Sequence, residues 1–266
     1  MTLCIAAACQ DNSRPRIVFC SDTKIGRGGA SAEVGDKVSF LLDRWPALMA
    51  GTVSRAEELL SIYASYMRRR RLTELNVLDE FKRPAQIQKN KVIDEYIWGK
   101  LGISYNQLLR RGKQEVPRKR RETIFDEIDD LSLDCDLIFG GFVDDEAYLF
   151  RVDGDDASAT YDEDFQVIGS GARFANASLV HREHHSERDL DSTVYHVYEA
   201  KKLGEVNPDV GADTYVDILR PGRSGRVLVQ TMTEAGLKFL DTQFKKFGPQ
   251  PTKDKIKVNR KFFEAL

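Results

Sequence analysis

The sequence predicts an α+β fold in one domain, a four-layer αββα sandwich of two antiparallel sheets flanked by helix pairs. Short apolar runs, separated by Gly, Pro, Asn and Asp clusters, are typical of antiparallel strands, and they occur in blocks. Each of the first two blocks is followed by two segments whose apolar residues recur at helical spacing. A βαβ fold would instead alternate strand and helix, so this order favours the layered sandwich.

The first strand block occupies residues 2–51. Its predicted strands are TLCIAAAC (2–9), RIVFCSD (16–22), KVSFLLD (37–43) and WPALMAG (45–51). The turn-rich stretch QDNSRPR joins the first two strands, and we expect them to pair as a hairpin. The Gly-rich stretch IGRGGASAEVG (25–35) is predicted to be a loop. It lacks the GK[ST] ending and the following helix of a phosphate-binding loop.

A helix pair is predicted after this block. The stretch VSRAEELLSIYASYMRRRR has apolar residues at helical spacing and offers Ser54 as its N-cap. A second helix is predicted over residues 84–111, bent near Gly99. Basic and acidic blocks adjoin in residues 112–133, which we expect to be a loop whose basic part is a solvated face or a partner-docking surface. The whole stretch 84–133 is interpreted as a charged helical insertion.

The second half of the chain repeats the pattern. Its predicted strands are DLIFGGF (136–142), AYLFRVD (147–153), FQVIGSG (165–171), TYVDILRP (214–221) and GRVLVQT (225–231), and its predicted helices are ARFANASLVHRE (172–183) and STVYHVYEAKKLGEV (192–206). Acidic turns are expected between the first three strands. A charged stretch begins at about Phe244, and we assign residues 1–247 to the domain and 248–266 to a charged tail.

Composition limits the function classes. The formal net charge is −2, which gives no overall basic footprint for nucleic acid. No run approaches the roughly 18 apolar residues of a membrane span. The cysteines at positions 4, 9, 20 and 135 lie in apolar stretches without CxxC spacing, so we expect small buried hydrophobic side chains rather than a disulfide framework or a zinc site. These features favour a cytoplasmic protein that binds neither membrane nor nucleic acid.

Three polar residues of the first block are expected to meet at one end of a sheet. Thr2 begins the first strand, Asp22 ends the second, and Lys37 begins the third. A hydroxyl needs an adjacent base to act as a nucleophile, and the α-amino group, with an ordinary pKa of about 7.7–8.0, can be that base if Thr2 is the terminal residue. We expect Lys37 to lower the pKa of that amine and Asp22 to orient Lys37. Taken singly, each has a simpler interpretation as a surface, turn or solvated residue.

The stretches FCSDTKIGRGG and VGDKVSFLLDRWPALMAGTVSRAEELL resemble the N-terminal half of proteasome β-subunits and of bacterial HslV-type peptidases. DLIFGGFVDDEAYLFRVDGD, followed by FQVIGSGARFANASL, resembles the second half of that family. The resemblance covers roughly residues 2–66 and 136–219. It implies the N-terminal nucleophile hydrolase fold and a threonine endopeptidase.

The resemblance also implies roles for individual residues. Thr2 matches the nucleophile, Asp22 the aspartate and Lys37 the lysine beside it. Gly51 in MAGT matches the glycine whose backbone N–H forms the oxyanion hole, and Ser170 in GSG matches a serine hydrogen-bonded near the threonine amine. Ser170 also suits the cap of the following helix.

The family's S1 pocket positions fall on four residues that would favour an apolar P1 side chain. They are Ile25, Gly35, Met49 and Val53, of which Met49 and Val53 also suit the core. The chain departs from the family in VNPDVGADTYVDIL. Where a serine is expected, this stretch offers Gly211 or Ala212, and Asp209 or Asp213 stands for the aspartate of the loop.

The resemblance implies that the substrate is a peptide or unfolded protein and that the chain assembles into a homo-oligomeric ring. It also implies an ATPase unfoldase as a partner and a mechanism that needs no cofactor or metal. The mechanism requires removal of Met1, which we expect because threonine is small. Two alternatives stay open: an amidohydrolase acting on a small amide through the same nucleophile, and a non-catalytic ring scaffold.

Overall fold

The computed structural model describes residues 2–22, 24–27, 30–33, 38–41, 44–68, 70–156 and 158–249. The strands are β1 (Leu3–Asp11), β2 (Arg14–Asp22), β3 (Lys24–Arg27), β4 (Ala30–Glu33), β5 (Val38–Leu41), β6 (Trp45–Gly51), β7 (Cys135–Val143), β8 (Glu146–Asp153), β9 (Ser158–Asp162), β10 (Phe165–Gly169), β11 (Thr214–Pro221) and β12 (Val227–Thr231). The helices are α1 (Val53–Met67), α2 (Val77–Leu101), α3 (Tyr105–Glu115), α4 (Arg118–Asp129), α5 (Ala172–His181), α6 (Leu190–Gly204) and α7 (Glu234–Phe247). The chain divides into two compact units, Met1–Met232 and Thr233–Leu266, and α7 belongs to the second.

The first unit contains two five-stranded antiparallel sheets, which confirms the α+β class and the antiparallel pairing. The first sheet has the strand order β10-β1-β2-β11-β12, and the second has the order β5-β6-β7-β8-β9. The predicted hairpin of β1 and β2 forms, with Cys4 opposite Ser21 and Asp11 opposite Arg14. The Gly-rich stretch is not only a loop, because β3 and β4 within it pair as a separate two-stranded ribbon.

The two sheets share one apolar core. Side chains of β1 and β2, including Ala6 and Phe19, belong to the same buried cluster as Leu48 of β6 and Ile138 of β7. A second cluster joins the other face of the second sheet to α1 and α2. Helix α6 contacts β1 and β2 on the first sheet, and α5 contacts β1 and β10. Strand β1 is therefore covered on both sides, which is why TLCIAAAC is a continuous apolar run rather than an alternating one.

Helix α1 forms where its apolar spacing predicts it, but the predicted N-cap is wrong. The buried residues Ala56, Leu59, Tyr63 and Met67 follow at three- and four-residue intervals and face the second sheet. The N-cap is Thr52, not Ser54, and it makes no side-chain capping bond. The helix starts directly after β6, which ends at Gly51 with a φ of +92°.

The second predicted helix has different bounds. Helix α2 begins at Val77, seven residues before Pro84, because Val77 and Phe81 are buried in the core with α1 and the second sheet. Burial of these side chains outweighs the backbone hydrogen bond that Pro84 cannot donate. The helix continues past Gly99 and ends before Gly102, which has a left-handed φ of +70°.

The prediction of a loop over residues 112–133 is wrong. Most of this stretch is helical, in the end of α3 and in α4, and Pro117 separates the two helices. Ile124 and Ile128 lie one turn apart on α4 and pack with Ile97 of α2 in a small separate core. The dense charge of the stretch concealed this apolar spacing, which is the usual signal of an amphipathic helix.

Two further elements were not predicted. Strand β9 occupies the expected acidic turn after β8 and forms the edge of the second sheet, where Ala159 is buried in the core. In the second unit, α7 includes the start of the charged stretch at Phe244 and ends at Phe247, directly before the residues assigned to the charged tail. The side chain of Thr233 accepts a hydrogen bond from the N–H of Gly236 and caps this helix.

None of the helices in the described part of the chain combines the length and the apolarity that a membrane span requires.

Candidate active site

The candidate active site lies where β1 begins. Thr2 directly precedes β1, and Asp22 is the last residue of β2. Because β1 and β2 pair antiparallel, the hairpin returns Asp22 to the start of β1. Thr2 is 6% exposed and Asp22 is 0% exposed. The structure thus brings together two of the residues that the sequence places at one end of a sheet.

Asp22 is held through both of its carboxylate oxygens. The hydroxyl of Thr2 and the backbone N–H of Leu3 donate to Oδ1, the latter at 3.1 Å. The backbone N–H of Gly211 donates to Oδ2 at 2.7 Å. A buried carboxylate is costly without such donors, so these bonds fix the orientation of Asp22. Asp22 in turn fixes the hydroxyl of Thr2.

Gly211 reaches the site because β11 pairs with β2. Thr214, the first residue of β11, lies opposite Asp22, and Gly211, three residues earlier, reaches the carboxylate. The family pattern predicts a serine side chain at this point, where the sequence offers Gly211 or Ala212. In the structure the loop contributes a backbone N–H, which no side-chain pattern in the sequence could reveal.

A buried lysine binds the carbonyl groups of the loop that contains Gly211. Nζ of Lys201, on α6, donates to the carbonyl oxygens of Gly211 at 3.0 Å and Ala212 at 2.8 Å. It also contacts Oε1 of Glu205 at 2.5 Å, and its side chain is 0% exposed. Burial lowers the pKa of Lys201, and Glu205 opposes this shift.

Sequence reasoning missed Lys201 although a signal exists. Val194, Val197 and Lys201 are spaced by three and four residues in α6, which places the lysine on the buried face of the helix. A lysine on such a face needs oxygen partners inside the protein.

Ser170 contacts the backbone of Thr2. Its hydroxyl donates to the carbonyl oxygen of Thr2 at 3.3 Å, and its own carbonyl accepts from Nδ2 of Asn207 at 2.7 Å. The cap interpretation does not hold, because the N-cap of α5 is Gly171 and no side chain caps that helix. The preceding Gly169 has φ +95°, and a Cβ there would lie 2.1 Å from the carbonyl oxygen of Thr2. Gly169 therefore allows close contact between β10 and the nucleophile candidate.

Gly51 ends β6, on the facing sheet. Its φ of +92° is left-handed, and a Cβ there would lie 2.5 Å from the carbonyl oxygen of Asp134. The thiol of Cys4 donates to the carbonyl oxygen of Met49 at 3.4 Å, which joins the start of β1 to the last residues of β6. The strand that carries Gly51 is thus connected to the strand that follows Thr2.

The remaining predicted residues are placed less completely. Lys37 and Gly35 lie outside the described residues. Ile25 belongs to β3, but its side chain is outside the described part. Met49 is half-buried and packs against the core shared with α1, and Val53, also half-buried, is the first residue of that helix.

Other chemistry near the site is limited. All four cysteines are buried, as predicted. Burial raises the pKa of Cys20 to about 12, so this thiol, two residues before Asp22, stays protonated and is not an activated nucleophile. Within the described ranges, no group of three or more His, Cys, Asp or Glu residues could hold a metal ion.

No family model matches this chain, and no curated protein matches it.

Proposed function

We propose that the chain is a threonine endopeptidase of the N-terminal nucleophile hydrolase superfamily, related to proteasome β-subunits and HslV-type peptidases. Thr2, freed by removal of Met1, is the nucleophile. The observation that carries the proposal is the hydrogen bond from the Thr2 hydroxyl to Asp22, a buried carboxylate held by two backbone N–H groups. A threonine that was only a surface residue would not be buried beside an oriented carboxylate.

The finer fold belongs to the same proposal. The shared core between the sheets, α1 and α2 on one outer face and α5 and α6 on the other support a four-layer αββα sandwich. In such a sandwich the start of β1 and the end of β6 lie on facing sheets, and the Cys4–Met49 contact agrees with that arrangement.

In the proposed acylation step, the O–H of Thr2 turns from Oδ1 of Asp22 to the α-amine of Thr2. Oγ1 then attacks the scissile carbonyl carbon, and its proton passes to that amine. The ordinary pKa of an α-amine, about 7.7–8.0, suits this transfer near neutral pH. Asp22 orients the hydroxyl. The backbone N–H of Gly51 stabilises the oxyanion, and a fixed backbone amide is an effective donor because it needs no reorganisation.

Collapse of the tetrahedral intermediate breaks the peptide C–N bond, and the leaving amine takes the proton from the α-ammonium group. An ester on Thr2 results. In the second step, the α-amine takes a proton from water, the hydroxide attacks the ester carbonyl, and Oγ1 of Thr2 leaves with that proton. We assign Lys37 to lowering the pKa of the α-amine, as the family resemblance implies.

The first experiment is intact-mass measurement of the purified protein together with turnover of fluorogenic peptides with an apolar P1 residue. We expect loss of Met1 and measurable turnover, and the Thr2→Ala variant should lose at least about 10³-fold in kcat. Thr160→Ala, at an exposed position on β9, is the matched control and should keep wild-type turnover. Full activity in Thr2→Ala, or a retained Met1 in an active enzyme, would contradict the mechanism.

The same assay separates the alternatives. Turnover of small amides but not of peptides would favour the amidohydrolase, and processed protein without any turnover would favour the non-catalytic scaffold. We further propose a homo-oligomeric ring in the cytoplasm, supplied with unfolded substrate by an ATPase unfoldase. Native mass spectrometry tests the ring directly.

A further inference from the structure

Consecutive carbonyl groups of one loop point at the same buried ammonium group. The Gly211 and Ala212 carbonyls both accept from Nζ of Lys201, which is 0% exposed. Backbone carbonyls that converge on one charge resemble a cation site, here filled by a side chain of the chain itself. The loop is therefore organised around a positive charge.

The opposite side of the same loop faces the candidate active site. The N–H of Gly211 donates to Oδ2 of Asp22, while the carbonyl of Gly211 accepts from Lys201. One residue thus connects the buried lysine to the carboxylate that holds the Thr2 hydroxyl. The direction of the Gly211 N–H depends on where its neighbouring carbonyl groups are fixed.

We infer that Lys201 is a positioning residue for the candidate active site, acting through the Gly211–Ala212 backbone on Asp22 and thereby on Thr2. The inference rests on the proposed function for its catalytic consequence. The positional effect itself rests only on the hydrogen bonds.

The neighbouring Lys202 provides a natural control. It also binds Glu205, at 2.7 Å to Oε2, but its side chain is 20% exposed, and within the described residues it donates to neither loop carbonyl. Removing Lys202 removes one of the two ammonium partners of Glu205 and leaves the bonds of Lys201 to the loop intact. A difference between variants at positions 201 and 202 therefore reports the loop contacts and not the loss of a lysine.

The experiment compares Lys201→Met with Lys202→Met in the full chain. Methionine keeps an unbranched stem but has no charge and no N–H donor. Amide hydrogen exchange is measured by NMR at Gly211 and Leu3, whose N–H groups bond the two oxygens of Asp22. We expect both amides to exchange at least about tenfold faster in Lys201→Met and within about twofold of wild type in Lys202→Met. Unchanged exchange at Leu3 in Lys201→Met would overturn the inference.

Kinetics supply the second readout. With fluorogenic peptide, Lys201→Met should lower kcat about 10- to 100-fold with KM within about twofold, because the nucleophile is misplaced while the substrate site is kept. A raised KM with unchanged kcat would count against positioning.

If the wild type has no turnover, the proposed function fails, and the exchange measurement still decides the role of Lys201. If Lys201→Met does not fold, Lys201→Gln is measured in the same way with the same criteria.

Discussion

The backbone N–H of Gly211 donates a hydrogen bond to Oδ2 of Asp22 across 189 residues of sequence. This bond connects the loop before β11 to the end of β2, and the other oxygen of the same carboxylate accepts from Thr2. The candidate site is therefore completed by a segment from the far end of the first unit.

The buried carboxylate should be sensitive to loss of its charge. In Asp22→Asn, an NH₂ group replaces one of the two carboxylate oxygens. It then faces another donor, which is either the N–H of Gly211 or the Thr2 hydroxyl and the N–H of Leu3. Such a donor–donor contact in a buried site should lower the free energy of unfolding by about 1–3 kcal/mol and reduce kcat by at least about 10²-fold. Urea unfolding and peptide turnover measure both effects.

The control for this substitution is Asp126→Asn, at an exposed position on α4. It should leave unfolding and turnover unchanged within about 0.5 kcal/mol and twofold. Wild-type stability in Asp22→Asn would argue against the three hydrogen bonds described for this carboxylate.

Gly169 should tolerate no side chain. Its φ is +95°, and a Cβ would lie 2.1 Å from the carbonyl oxygen of Thr2. Gly169→Ala therefore combines left-handed strain of about 1–2 kcal/mol with displacement of the residue that carries the nucleophile. We expect a loss of at least about 2 kcal/mol in chemical denaturation. Gly99→Ala, inside α2 with nothing within 4 Å of its Cβ, should instead be stabilising by about 0.5–1 kcal/mol. A Gly169→Ala variant that is more stable than Gly99→Ala would refute this prediction.

A buried histidine pair should make the protein acid-sensitive. His184 and His196 lie with ring centroids 6.1 Å apart and are 5% and 9% exposed. Burial, with the charge of His184 next, lowers the pKa of His196 from its ordinary 6.5 to about 4. The unfolded chain therefore binds a proton between pH 6.5 and 4 that the folded chain does not. Because that proton favours the unfolded chain, the free energy of unfolding is highest above pH 6.5 and decreases as the pH falls toward 4.

Guanidinium unfolding between pH 7.5 and 4.5 measures this effect. His196→Gln should flatten the acid side of the stability profile, whereas His185→Gln, at an exposed position, should leave its slope as in the wild type. Identical profiles for wild type and His196→Gln would show that another group causes any loss of stability in acid.

The aromatic cluster over the second sheet should dominate the stability of that layer. The Phe81 ring lies 4.2 Å from the Phe150 ring and 4.7 Å from the Trp45 ring, measured between centroids, and its side chain is fully buried. Phe81→Ala leaves a large cavity and should lower the free energy of unfolding by about 3–5 kcal/mol. Phe239→Ala, at a position that is 61% exposed, should cost less than about 0.5 kcal/mol. Equal thermal unfolding midpoints for Phe81→Ala and Phe239→Ala would contradict the packing described for α2.

Local patterns were sufficient for part of this molecule. The hairpin of β1 and β2 follows from two apolar runs around a turn, and it alone places Asp22 beside Thr2. Helix α1 follows from the spacing of its apolar residues. The start of α2 before Pro84 does not, because it depends on burial of Val77 and Phe81 against strands far away in the sequence.

The order of strand and helix patterns along the chain predicts the α+β class. Two adjacent segments are enough to predict the antiparallel hairpin and the return of Asp22 to the start of the strand that follows Thr2. The way in which Asp22 is held depends on contacts between segments that are far apart in the sequence. Its second oxygen is bound by a backbone N–H of Gly211, and the loop of Gly211 is fixed by Lys201. Backbone donors have no side-chain signature, and a buried ammonium group finds its carbonyl partners only after α6 and β11 have packed on the first sheet.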